Sequence, residues 1–301
     1  MTTTTVARAP QRRVAPRKRI KNAIWLVATA VLSISTIAPL VWTLATSFKP
    51  AGEVLSSSLQ LLPSEPTIQN YLDVFSTVPF GRYFVNSLVI AVGGAITNVF
   101  FGALAGYALA KLRFPGRGAV FGVFLGSMMV PTIVTLIPTF IVLRSIPLAG
   151  GNDIFGQGGI GLINSYAAVL VPYAAGPFAI FFMRQFFASL PDELGEAARI
   201  DGAGEFRIFW RIYLPLAAPG LAVLGILTFQ AGWNTFLWPL IVLNDPSMMT
   251  VQVGLAGFVN NYETAYGPLM AGTVIASIPV LVVFLFAQRY IIQGVATSGL
   301  K

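Results

Sequence analysis

Six apolar runs limit what this chain can become. They are Ile24–Phe48, Asn86–Ala110, Ala119–Leu143, Leu162–Phe186, Ala217–Leu243 and Pro268–Gln288. Each is about the 20 residues that a helix needs to cross a bilayer. Backbone groups in lipid must be paired within their own segment, so each run is expected as a helix. Apolar residues make up 55% of the chain, charged residues 10%, and the mean hydropathy is +0.76. An all-α polytopic membrane protein with six transmembrane helices is the expectation.

The basic residues orient those helices. Sixteen of the 19 Lys and Arg residues fall on one side if the N-terminal tail is cytoplasmic. Both termini are then expected inside, and Lys49, Arg82 and Arg144 outside. The net charge of +8 is explained by this bias and by anionic lipid, so nucleic acid is not expected as a partner. The first run is too long for the core of a cleaved signal and reads as an anchor. The chain divides into a basic tail expected to be disordered (residues 1–22), a first helix with its outer loop (23–83), a five-helix core (84–290) and a C-terminal tail (291–301). Pro131, Pro138, Pro172, Pro177, Pro239 and Pro279 are expected to kink or open their helices. Gly102 with Gly106, and Gly122 with Gly126, lie one turn apart and suit close helix packing.

Between the fourth and fifth runs lies the charged stretch Pro191–Pro219. It reads as two short helices around a glycine. Ser189 is the expected cap of the first, with Pro191 just inside and Asp192 and Glu193 in its first turn. Gly202 is expected to end it with positive φ. The second, Glu205–Tyr213, is amphipathic through Phe206, Phe209, Trp210 and Tyr213, and Pro215 is expected to stop it. Two readings stand here: an interfacial helix on the lipid surface, or a docking surface whose small Ala197 and Ala198 admit a partner.

The chain has no cysteine and no histidine, which removes disulfides, thiolate metal sites and the usual general base near neutral pH. It contains no Gly-Lys pair, hence no P-loop, and it is not expected to be an enzyme. Its acids lie in loops, where a proton-coupled carrier would hold carboxylates within its spans. Neutral polar residues remain within the runs: Asn98 in the second; Gln230, Trp233, Asn234 and Trp238 in the fifth. Such amides and indoles suit a hydroxyl-rich solute, and they suit helix packing and interfacial anchoring as well.

Glu196-Ala197-Ala198, Gly202 and Ile212-x-Leu214-Pro215 resemble the EAA loop of ABC importer permeases, EAA-x3-G-x9-I-x-LP. Asn86-Ser87-Leu88, Tyr107 to Arg117, Phe229–Leu243 and Gln288-Arg289-Tyr290 resemble the carbohydrate-uptake branch, in particular the second permease of maltose-type and glycerol-3-phosphate-type systems. The resemblance implies the type I importer permease fold, in the bacterial plasma membrane, with 191–219 as a cytoplasmic coupling helix. It implies that Glu196, Ala197, Ala198, Asp201, Gly202, Ile212, Leu214 and Pro215 couple to an ATPase. It implies as partners a second permease, two ATPase subunits and an extracytoplasmic solute-binding protein. It implies no cofactor in this chain, ATP and Mg being bound by the ATPases. The alternative is an ion-coupled secondary transporter or channel without an ATPase.

Overall fold

The computed structural model describes residues 16–54, 60–259 and 264–298. Among them are only helices, turns and one isolated bridge, Val259 with Thr264. Helix α1 spans Pro16–Ser47, α2 Gln69–Thr77, α3 Phe80–Lys111, α4 Arg117–Met128 and α5 Thr132–Arg144. Then follow α6 (Tyr166–Leu170), α7 (Pro177–Ala188), α8 (Glu193–Ile200), α9 (Glu205–Ile208) and α10 (Ala218–Trp233). Helices α11 (Leu237–Val242), α12 (Val251–Ala256) and α13 (Tyr266–Ser298) complete the chain.

Three described segments are long and apolar enough to cross a membrane unaided: Lys21–Ser47, Phe80–Lys111 and Tyr266–Gln288. Three more crossings exist if bent helix pairs count as single spans. The third expected run, Ala119–Leu143, is not one straight helix. It breaks at 129–131, and α4 and α5 diverge by 105°. The fourth breaks at 174–176 with a 43° bend, and the fifth is interrupted at 234–236. Pro131 and Pro177 lie at two of these breaks, where the missing amide costs nothing. Pro138 and Pro279 remain inside α5 and α13. The basic tail differs from expectation too. Residues 16–22 already belong to α1, whose Arg and Lys are good helix formers, and α13 runs on through 291–298. Residues 1–15 and 299–301 lie outside the described residues.

Helix α3 is the axis of the bundle, with α7 and α10 packed along it. Gly102 lies where a Cβ would come within 2.8 Å of the Ala179 Cβ. A Cβ on Gly106 would meet the Met183 Cβ at 2.7 Å. In lipid, helices gain little by hiding apolar surface from one another, so such backbone approach supplies the packing energy. The Gly122 and Gly126 pair behaves otherwise. A Cβ at either position would have no described atom of a neighbouring element within 4 Å, so the expected packing role is not met among the described residues. Helix α4 is instead held to α7 by Phe121, which stacks on Phe181 and lies under the Arg184 guanidinium, 3.9 Å from the ring centre.

At the end opposite the charged stretch, Asn86 closes the bundle. Its amide donates to the carbonyls of Ser247 (2.9 Å) and Met249 (2.8 Å) and accepts from the Tyr166 hydroxyl (2.7 Å). The loop 145–161 is knit by Asn152, which donates to the carbonyls of Arg144 and Ile146 and accepts from the Gly159 amide. Gly106→Leu is expected to lower stability by about 1–3 kcal/mol through overpacking, whereas Gly122→Leu is expected to change it by less than about 0.5 kcal/mol. Thermal unfolding of the detergent-solubilised pair measures the difference.

Candidate functional site

The charged stretch begins where α7 ends. The Ser189 hydroxyl donates to the Phe186 carbonyl at 2.7 Å, so Ser189 closes α7 and does not cap the next helix, contrary to the expectation from its spacing. Pro191 therefore lies outside α8, and Asp192 occupies the N-cap position without a side-chain capping bond. Its carboxylate is engaged elsewhere, by Lys111. Gly202, at φ +79°, ends α8. The Gly202 amide bonds the Arg199 carbonyl at 3.0 Å and the Ala203 amide the Ala198 carbonyl at 2.9 Å, the Schellman pattern.

The second helix does not stop at Pro215. After α9 it widens into a π-helical turn, Phe209–Tyr213, and continues through Leu214–Leu216 before a 76° corner into α10. A proline removes one amide and crowds the preceding carbonyl, and a widened turn relieves both. The widening divides the aromatic stripe. Phe209 and Tyr213 are buried against Tyr107 and Phe187, while Phe206 and Trp210 pair with each other on the surface.

Two polar clamps fix this stretch to the end of α3. The Lys111 ammonium is almost buried, its side chain 4% exposed. It donates to the Leu190 carbonyl (2.6 Å) and the Asp192 carboxylate (2.5 Å), and lies 5.1 Å from the Tyr213 ring centre. The Tyr107 hydroxyl donates to Glu205 (2.9 Å), and Arg199 grips the same carboxylate with two bonds (2.6 and 3.2 Å). The Tyr213 hydroxyl adds a bond to the Pro191 carbonyl (3.0 Å). Gly195 is required beneath it, because a Cβ there would come within 2.9 Å of that hydroxyl. Lys111 holds the Asp192 carboxyl below the usual carboxylate range, and Arg199, then Tyr107, do the same for Glu205. Both clamps are thus complete at neutral pH and are lost as pH falls through those lowered values.

What the clamps leave outside is a mixed surface. Glu196, Ala197, Asp201, Gly202 and Pro215 are exposed; Ala198, Ile212 and Leu214 are half-buried. Ile200, 86% exposed, and Phe206, 72% exposed, stand beside them. The sequence alone does not single out Ile200, Gly195 or the clamp. An isoleucine among charges is the available signal for the first. The clamp joins residues about 80 to 100 positions apart and has no local signature.

A second feature is a cavity of about 590 Å³ between α3, α7, α10 and α11. Asn98 lines it, donating to the Tyr173 carbonyl at 2.7 Å. Trp238 also lines it, its indole N–H given to the Ala168 carbonyl at 3.0 Å. Trp233 does not. It is 1% exposed, donates to the Ala276 carbonyl and stacks on Phe229, so it serves helix packing. Gln230, in α10, and Asn234, just after it, are exposed and are not among the residues lining the cavity. Tyr173, Thr228 and Thr235 line it with no sequence signal to mark them.

Replacing Lys111 by Met leaves a carbonyl and a carboxylate without their donor, at about 1–1.5 kcal/mol. Exchange of the α8 amides, read by hydrogen–deuterium exchange at neutral pH, is expected to rise roughly tenfold. Wild-type protein is expected to show the same loosening as pH falls through the lowered Asp192 and Glu205 values, after correction for intrinsic rates.

The chain is 36% identical over 282 residues to the arabinooligosaccharides transport system permease protein AraQ of Halalkalibacterium halodurans, covering 92% of this chain and 96% of the relative. It is 35% identical to the diacetylchitobiose uptake system permease protein NgcG of Streptomyces coelicolor, covering 89% and 85%. It is 34% identical to the sn-glycerol-3-phosphate transport system permease protein UgpE of Yersinia pestis, covering 82% and 86%. A chain in the crystal structure of a bacterial ABC transporter that imports the acidic polysaccharide alginate superposes with a TM-score of 0.79 at 25% identity, over 93% of this chain and 99% of that one. Residues 98–297, more than half the chain, match the family of the binding-protein-dependent transport system inner membrane component. The chain therefore belongs to that family, as a membrane-embedded ABC importer permease subunit that transports and does not catalyse.

Proposed function

We propose that this chain forms one half of an ATP-driven saccharide importer, pairing with a second permease, two ATPase subunits and an extracytoplasmic binding protein. The observation that carries the reading is the clamped loop. Its exposed side joins small residues, charge and two apolar side chains. Its buried side is tied to the bundle axis by Lys111 and Tyr107, while Tyr213 bonds within the stretch to the Pro191 carbonyl. A partner that pulls on the stretch pulls on α3 through Asp192 and Glu205.

The loop and the basic turn after α3 lie at one end of the bundle, since Lys111 and Asp192 touch. This agrees with a cytoplasmic position for both. On this reading ATP and Mg bind the ATPases, whose closure draws the loop inward. The two permeases then rock between inward- and outward-facing forms. Glu196, Ala197, Ala198, Asp201, Gly202, Ile212, Leu214 and Pro215 are the proposed contacts, joined by Ile200 and Phe206. The saccharide assignment draws on the relatives that carry arabinooligosaccharides and diacetylchitobiose.

Gly202→Val is the test of coupling. No described atom crowds the site, so the cost is the positive φ, about 1–2 kcal/mol and local. Membrane insertion is expected to persist while ATPase co-purification and uptake fall at least tenfold; normal uptake would remove the coupling role. Tagging the wild-type chain and purifying it in mild detergent is expected to bring down an ATPase and a second permease. Recovery of the chain alone from several detergents would favour an ion-coupled carrier or channel.

A further inference from the structure

We infer that the 590 Å³ cavity is this chain's own contact site for one ring of a neutral saccharide, with Tyr173, Thr228, Thr235 and Asn98 as its polar groups. The inference rests on the importer reading above and adds to it the residues and the charge class of the solute.

Three interruptions of membrane helices converge on this one space. Thr132 follows the break at 129–131, Tyr173 precedes and Gly176 ends the break at 174–176, and Thr235 lies within the break at 234–236. The first two breaks fall near the middle of their apolar runs. Irregular backbone at that depth is tolerated where it is buried in protein or faces a polar cavity, and broken helices meeting at mid-depth are how membrane carriers build solute sites.

The side chains agree. Thr29, Thr36, Thr43, Thr97, Thr135 and Thr273 all turn their hydroxyls back onto carbonyls of their own helices. Thr228, in the middle of α10, does not; its hydroxyl has no partner among the described residues, nor do those of Thr235 and Tyr173. Asn98 spends its N–H on the Tyr173 carbonyl and keeps its amide oxygen free of the described residues. Gly176 leaves room for it there: a Cβ at that position would come within 2.9 Å of the Asn98 nitrogen. The half-exposed Tyr173 ring is held edge-to-face against Trp238, 6.4 Å between centres.

Aliphatic and aromatic walls with a few aimed hydroxyls match a sugar ring, whose faces are C–H and whose edges are hydroxyl. Among the described residues, no Lys, Arg, Asp or Glu lines the cavity. A carboxylate or phosphate would enter without a counter-charge, at a cost of several kcal/mol. The solute unit held here is therefore neutral.

The test uses the intact complex in proteoliposomes with its binding protein. Uptake of radiolabelled arabinotriose, maltotriose, diacetylchitobiose and glycerol 3-phosphate is measured beside ATP hydrolysis. A neutral saccharide is expected to enter. Thr228→Val with Tyr173→Phe is expected to cut its uptake at least tenfold, with solute-free ATP hydrolysis and melting temperature unchanged. Thr228→Ser, which keeps the hydroxyl, is expected to transport like wild type. Preference for glycerol 3-phosphate would overturn the inference, as would wild-type uptake by the double variant. So would uptake of none of the three saccharides while the binding protein still stimulates ATP hydrolysis. Failure of the importer reading looks different: no ATPase accompanies the chain and no ATP is hydrolysed.

Discussion

The close approach of α7 to α3 at Gly102 and Gly106 is the contact on which the rest depends. Lipid offers apolar side chains as good an environment as a neighbouring helix does, so burial alone holds such helices together weakly. Two positions without a side chain let Ala179 and Met183 settle against the α3 backbone. With α7 placed there, its C-terminal end delivers Leu190 and Asp192 to Lys111. The loop that follows then has a fixed origin.

From that origin the polar clamps follow. From the last turns of α3, Lys111 reaches the start of the charged stretch and Tyr107 reaches Glu205 at the start of α9, and the Tyr213 hydroxyl bonds back to the Pro191 carbonyl. Each clamp joins a partly or wholly buried donor to a more exposed carboxylate. Desolvation costs stay small, and each bond gains from charge. The result is a short two-helix element with one face committed to the bundle and the other exposed.

The interruptions follow a second logic. Bonding within straight helices satisfies the backbone and leaves little polar surface in the membrane. The breaks between α4 and α5, α6 and α7, and α10 and α11 border one space with hydroxyls and an amide on its wall.

Much of this was legible in the chain itself. The apolar runs, the two-helix loop, the left-handed Gly202 and the Gly102 and Gly106 pair follow from local chemistry: hydropathy, capping and the absence of a side chain. The sequence did not distinguish that glycine pair from Gly122 and Gly126, because the patterns are identical and only α7 lies opposite the first. Nor did it reveal that Ser189 closes α7, that Pro215 widens a turn without ending it, or that Trp233 packs while Thr228 faces a cavity. Those outcomes depend on which way a side chain points once distant helices are in place. The sequence by itself determined which segments are apolar enough to enter a membrane, since transfer from water to lipid is a property of each segment alone. Tertiary structure decided which polar groups are clamped and which stay free, since a hydrogen bond depends on the position of both partners.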